Sequence, residues 1–224
     1  MMTKSQTYLG LKEKVIDELR WDSRVDEAEI GVSVSEGIVM LTGTVSGYAK
    51  KLAAQEAAHR VLGVQDVVND IKVVVPGGMA RTDADIAHAV RTALEWDVLV
   101  PDKQIQSTVS DGWVTLEGKV DYLSEVEDAE RAVRHLSGVR GVYNKILVTT
   151  PLAEPDRIAE VIEEALERRA EREAERIKVE MRDGAVTVSG RVHSWEEKRA
   201  VLGAVSHARG VRSVHDRLVI DPYF

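Results

Sequence analysis

The stretch Gly37-Ile38-Val39-Met40-Leu41-Thr42-Gly43 occurs in three variants, returning 75 residues later as Gly112-Trp113-Val114-Thr115-Leu116-Glu117-Gly118 and a further 72 residues later as Gly184-Ala185-Val186-Thr187-Val188-Ser189-Gly190. The same offsets relate the sequence on both sides of the stretch. Another glycine follows each stretch at a fixed distance, as Gly63, Gly138 and Gly210. The chain therefore consists of three tandem repeats of one unit.

The residues before and within each stretch predict a helix and a hairpin. Apolar residues recur every four positions at Leu11, Val15 and Leu19, which is the spacing of one helical stripe. Two runs then alternate with period two, which predicts strands with one buried face. A Glu-Gly or Asp-Gly pair separates the two runs and favours the positive φ angles of a tight type I′ turn. We therefore expect an antiparallel hairpin at the centre of each repeat.

The residues after the hairpin predict a second helix and a third strand. The apolar stripe of this helix is rich in small residues, such as Ala54, Ala57 and Ala58 in the first repeat. A strand, a helix and a strand in succession favour a right-handed crossover and parallel pairing. The predicted fold class is α+β, with three tandem αββαβ domains, each a mixed three-stranded sheet with two helices on one face. We place these domains at 5–76, 82–150 and 154–222, and expect such small units to pack against one another.

The repeated glycines are interpreted as structural. The first glycine of each stretch belongs to the hairpin turn, and the second has the parity of the buried strand positions, which indicates a close approach of the helix to the sheet. The third glycine is placed where a helix ends in a left-handed residue. These three classes are, in order, Gly37, Gly112 and Gly184; Gly43, Gly118 and Gly190; and Gly63, Gly138 and Gly210.

Composition excludes several classes of protein. The chain has 224 residues, no cysteine and a formal net charge of −8. Without cysteine there is no disulfide framework, thiolate nucleophile or zinc ribbon. The acidic balance disfavours nucleic acid as a partner, and no apolar run approaches the roughly 18 residues that span a bilayer. The first residues lack the apolar core of a signal peptide, so we expect a cytoplasmic location.

The recurring residues resemble those of the BON domain family, which includes the OsmY-like proteins. The resemblance rests on the Gly-x-Val-x-Leu-x-Gly-x-Val hairpin, the alanine-rich helix, and a closing Gly-Val-x-x-Val-x-Asn-x-Ile/Leu segment, and it covers nearly the whole chain three times. It implies the αββαβ fold and association with phospholipid or membrane surfaces, often in envelope or osmotic stress, without catalysis. Because the chain is acidic and lacks a leader segment, a protein–protein interaction or self-assembly module without lipid binding is the alternative.

Two sets of residues are candidates for a binding surface. Trp113 and Tyr143, with Ile38 and Met40, have the parity of the sheet face that the helices leave uncovered, which favours contact with another copy or another chain. The third repeat concentrates arginines near the end of its first helix, which form either a solvated ion-pair face or an anion site for lipid head groups. The candidate head-group ligands are Arg168, Arg169, Arg172 and Arg176.

The remaining polar and aromatic positions have structural interpretations. Trp21 and Trp96 share one repeat position at the end of the first helix, and we expect them to seal a core edge or pack between copies. Asn69, Asn144 and Asp216 have apolar parity on the third strand, and we expect each to bond a backbone group near the preceding turn. The pairs Glu56/His59 and Asp85/His88 have metal-ligand spacing but lack acidic partners on facing helices. We therefore expect no metal, cofactor or catalytic residue.

Overall fold

The computed structural model describes residues 4–77, 81–149 and 177–221, with side chains from residue 10 onward. The first repeat contains, in order, α1 (Lys4–Trp21), β1 (Ile30–Ser35), β2 (Ile38–Val45), α2 (Tyr48–Arg60) and β3 (Asp66–Val73). The second contains α3 (Asp83–Trp96), β4 (Ile105–Ser110), β5 (Trp113–Val120), α4 (Leu123–Val133) and β6 (Gly141–Val148). The third contains β7 (Ile177–Arg182), β8 (Ala185–Val192), α5 (Trp195–Ser206) and β9 (Ser213–Ile220), and its predicted first helix lies outside the described residues.

Each repeat builds its own mixed sheet. The orders are β1-β2-β3, β4-β5-β6 and β7-β8-β9, with the first pair antiparallel and the second parallel. Both residues of the first hairpin turn have positive φ, 52° at Glu36 and 82° at Gly37, as a type I′ turn requires. The predicted α+β class and the predicted pairing are therefore confirmed.

The core of each repeat lies between one sheet face and the helices. Val15, Leu19 and Leu41 are fully buried in the first repeat, and so are Ala54 and Ala57 of α2. Each buried leucine contributes roughly 1.5–3 kcal/mol relative to an exposed one. The small alanine side chains let α2 lie close to the strands. The buried side of α2 is the apolar stripe that the sequence predicted.

The glycine at the end of the stretch has a different role from the predicted one in the first two repeats. Gly43 has φ +125°, and a Cβ added there would lie 2.1 Å from the carbonyl oxygen of Glu29. A Cβ added at Gly118 would likewise lie 2.2 Å from the carbonyl oxygen of Gln104. The close neighbour is thus the backbone entering the adjacent strand, and the predicted approach of the helix was wrong.

The glycine after the second helix also differs from expectation. α2 ends at Arg60 with an extended residue, Val61, as its cap. Gly63, with φ +101°, occupies the third position of a turn closed by the bond from Val64 N to Val61 O, 3.2 Å long. Positive φ at the third position is typical of a type II turn. This glycine therefore redirects the chain toward β3 and does not terminate the helix.

In each of the three repeats, the first residue of the second helix contacts another repeat. Tyr48 packs against the core of the second repeat, and its amide donates to Val139 O at 3.4 Å. Leu123 packs against the core of the third repeat. Trp195 stacks on His59 of the first repeat. The contacts run from first to second, second to third and third to first, so the repeats close into a ring.

Within the described ranges, no helix has the length and apolar character needed to cross a membrane.

Candidate functional site

The open face of each sheet, defined as the face opposite the helices, carries the predicted aromatic pair in the second repeat. The rings of Trp113 and Tyr143 are stacked, with centroids 4.9 Å apart and planes 18° apart. Trp113 pairs in register with Gly141, and a Cβ at that glycine would lie 2.2 Å from the indole ring. The indole therefore lies directly over the glycine backbone on the outer strand β6. The sequence did not reveal this role of Gly141.

The open face of the first sheet carries an aliphatic patch. Ile38 and Met40 are about two-fifths exposed, and Met40 pairs in register with Val68, which is equally exposed. Sequence reasoning missed Val68, although its parity on the third strand was a usable signal. No described residue of another repeat covers this patch, so its contact with another chain stays a prediction.

The open face of the third sheet is basic. Lys178 and Arg217 flank Ser189 in one row across the three strands, and Arg182 lies near the hairpin end of β7. All three cationic side chains are exposed, and none of them is ion-paired within the described residues; Glu180 lies between Lys178 and Arg182 along the strand. This local positive charge contrasts with the chain's net charge of −8. The predicted head-group ligands Arg168, Arg169, Arg172 and Arg176 lie outside the described residues.

The two tryptophans at the ends of the first helices contradict their expected role. Trp21 is 86% exposed and Trp96 is 82% exposed, so neither seals a core nor packs between repeats. Each follows the last buried leucine of its stripe by two residues, which turns the side chain roughly 200° away from the core. Val98 and Leu99, just beyond Trp96, are also exposed. The end of α3 therefore carries an apolar tip in solvent.

Comparison with known proteins identifies the repeated unit. The family model of the BON domain matches residues 10–75, 82–150 and 155–222. The chain belongs to the BON domain family. No curated protein matches the chain.

Among solved structures, this BON chain is similar to CdsD, a structural protein of the type III secretion system of Chlamydia trachomatis. The identity is 13%, with 95% of this chain and 92% of that chain covered and a TM-score of 0.27. A second structure, of the C-terminal domain of CdsD, shares 12% identity over 95% of this chain and 98% of that one, also with a TM-score of 0.27.

Each BON domain ties its third strand to its second helix through one polar side chain. The Asn69 side-chain amide donates to Lys51 O at 2.9 Å, and that of Asn144 donates to Val126 O at 2.8 Å. Asp216 holds the same position in the third domain and binds the ammonium of Lys198 at 2.7 Å. The prediction that these side chains bond the backbone of the preceding turn was wrong. The partners lie in the helix, because the strand packs directly against it.

In each of the two pairs with metal-ligand spacing, Glu56/His59 and Asp85/His88, one member has a structural role. His59 is buried against Trp195, whereas Asp85 caps the start of α3 by accepting from Thr82 N at 3.1 Å. In the parts of the chain that the structure describes, no three His, Asp or Glu side chains come together as a metal site.

Proposed function

We propose that this chain is a non-catalytic scaffold whose three BON domains associate with phospholipid surfaces, in the envelope or osmotic-stress setting that the family resemblance implies. The observation that carries the proposal is the near-complete exposure of Trp21 and Trp96 at one shared repeat position. Tryptophan is among the most buried residues on average. It is also enriched at membrane–water interfaces, where its ring meets the head-group region.

The apolar tip at the end of α3 supports shallow insertion. Trp96, Val98 and Leu99 are respectively 82%, 96% and 57% exposed within four consecutive residues. Such a small convex cluster enters a head-group layer readily, whereas a protein partner would need a matching cavity.

The ring of domains would let Trp21 and Trp96 contact one membrane surface at the same time. A rotation that carries each domain onto the next keeps equivalent residues on the same side of a ring. Trp21 and Trp96 would thus face one plane; Arg168 has the equivalent position in the sequence. Two weak anchors on one chain bind a plane far more tightly than one anchor does. The cations Lys178, Arg182 and Arg217 would add attraction to anionic lipid.

Vesicle co-sedimentation tests the proposal, with zwitterionic and anionic liposomes at low and high salt. We expect wild-type chain to pellet with the vesicles and Trp21→Ser/Trp96→Ser to bind at least tenfold more weakly. Leu147→Ser is the matched control because Leu147 is 61% exposed on the open face of the second sheet. If Arg168→Glu/Arg172→Glu loses the salt-sensitive part of vesicle binding, the result would support these arginines as head-group ligands. Absence of wild-type binding to both vesicle types would overturn the proposal.

A second candidate function is assembly with other protein chains without lipid. The aliphatic patch of Ile38, Met40 and Val68 and the stacked pair of Trp113 and Tyr143 favour it, because contiguous exposed apolar side chains mark contact surfaces. Light scattering over a concentration series tests it. Mass that rises with concentration and falls in Met40→Glu/Val68→Glu, but not in the neighbouring Thr42→Glu, would support assembly.

A further inference from the structure

The joint that closes the ring is a ring-on-ring contact between the third and first BON domains. Trp195, the first residue of α5, lies over His59 in the last turn of α2, with centroids 3.7 Å apart and planes 15° apart. The other two joints place Tyr48 and Leu123 at the corresponding position. The third joint alone therefore pairs this position with a titratable ring.

The surroundings of His59 favour its neutral form. His59 is only 9% exposed. His59 Nε2 and Trp195 Nε1 are both buried, and neither finds a hydrogen-bond partner among the described residues. A proton on the imidazole would therefore be carried in a dry site without an acceptor at Nε2.

Charged groups face His59 from three elements. Lys198 and Arg199 of α5 oppose its protonation, whereas Asp66 of β3 and Glu56 of α2 favour it. The ammonium of Lys198 lies 5.0 Å from the centroid of the Trp195 ring. Burial is the largest influence, and together with the two cations it lowers the pKa of His59 to about 4.

We propose that the His59–Trp195 stack is a proton-sensitive latch, which holds the third domain on the first when His59 is neutral and releases it when His59 is protonated. The cores of the first and third domains are separate clusters, so release leaves each domain folded. Opening would expose the facing surfaces of α2 and α5 to solvent. The latch does not depend on the lipid proposal.

The direction of the effect follows from the lowered pKa. The pKa of His59 is about 4 in the closed chain, and on opening we expect it to return toward its ordinary value of 6.5. The closed form has its full advantage above pH 6.5 and loses it as the pH falls, about tenfold in the closed-to-open ratio per unit, until the pH reaches about 4. Over that range the ratio falls roughly 300-fold.

Energy transfer between two labels tests the latch, because the chain has no native cysteine. Ser35→Cys and Arg182→Cys place labels at exposed, equivalent ends of β1 and β7. We expect transfer efficiency to fall between pH 7 and pH 4 in the otherwise wild-type chain and to stay constant in His59→Phe, which keeps a flat ring without a titrating group. His135→Phe is the matched control: burial and Arg134 lower the pKa of His135 as well, but it lies outside the His59–Trp195 contact, so the variant should behave like wild type.

Two results would overturn the latch: constant efficiency in the wild-type chain, or an equal fall in His59→Phe. Circular dichroism at each pH establishes that the domains are still folded. A second measurement avoids strong acid by following the imidazole resonance of His59 between pH 8 and pH 5. The pKa should lie more than one unit below 6.5 in wild type and near 6.5 in Trp195→Ala. Equal values in the two chains would also overturn the latch.

Discussion

The ammonium of Lys198 lies 2.7 Å from the carboxylate of Asp216, where the other two domains place a side-chain amide against a helix carbonyl. Lys198 has the same repeat position as the residue whose carbonyl accepts that amide. The third domain therefore keeps the link between helix and strand but reverses its chemistry. An aspartate cannot donate, so the donor has moved to the helix side chain.

Removing this lysine should destabilise the third domain. Lys198→Met leaves the Asp216 carboxylate, whose side chain is 33% exposed, without its cation. We expect this change to lower the free energy of unfolding by about 1–3 kcal/mol. The double variant Lys198→Met/Asp216→Asn restores a neutral amide and should recover most of the loss. Hydrogen exchange of the β9 amides measures the effect in the full chain. A double variant no more stable than the single one would contradict this account.

The two asparagines should differ in their tolerance of a charge. Asn144→Asp would place a carboxylate beside Glu130, whose Oε2 now lies 3.3 Å from the asparagine amide, and we expect a loss of about 2 kcal/mol. Asn69→Asp should cost less, because its neighbours are the neutral Gln55 and a lysine, Lys51, at the position of Lys198. Urea unfolding of the two variants gives the comparison, and equal losses would argue against it.

A methyl group at Gly43 should not be accommodated. Gly43→Ala combines φ +125° with a Cβ only 2.1 Å from the Glu29 carbonyl oxygen, and we expect about 3 kcal/mol or more of destabilisation. Gly10→Ala is the matched control in the same domain, because it lies within α1 with no atom in reach of the new Cβ. That change should stabilise the helix by about 0.5–1 kcal/mol. Thermal unfolding monitored by circular dichroism separates the two outcomes.

The first domain should be sensitive to acid through Asp22. Hydrogen bonds from Arg24 and Arg60 hold the pKa of this carboxyl well below its usual 3.8, although burial opposes them. Its folded pKa is depressed, so its stabilisation is complete above about pH 4 and is lost as the pH falls further. Asp22→Asn should lose about 1–2 kcal/mol at pH 7 and show a flatter stability profile below pH 4. A variant with the wild-type acid profile would rule out Asp22 as the cause.

Periodicity was sufficient for the fold of each domain. The stripe of Leu11, Val15 and Leu19 and the alternation around the hairpin predicted the observed elements, because a helix or a strand must bury its apolar side whatever surrounds it. The same parity argument located Trp113 and Tyr143 on the open face. Their stacking depends on the register of Trp113 with Gly141, and strand register is not visible in the sequence alone.

Some interpretations failed where one feature had two physical explanations. A glycine with buried parity is compatible with an approaching helix or an approaching strand, and at Gly43 the neighbour is the strand entry at Glu29. A tryptophan at a helix end is compatible with a sealed edge or a free tip. Trp21 is exposed because its position, two residues after the buried Leu19, points its side chain away from the core.

Three αββαβ units and the apolar side of their elements follow from residue order alone, since local spacing dictates which side chains share a face. The ring does not follow from it. Tyr48, Leu123 and Trp195 are neighbours of residues in other domains only because each second helix packs against another domain. Contacts between distant segments depend on the relative orientation of whole domains, and no periodicity within one repeat encodes that orientation.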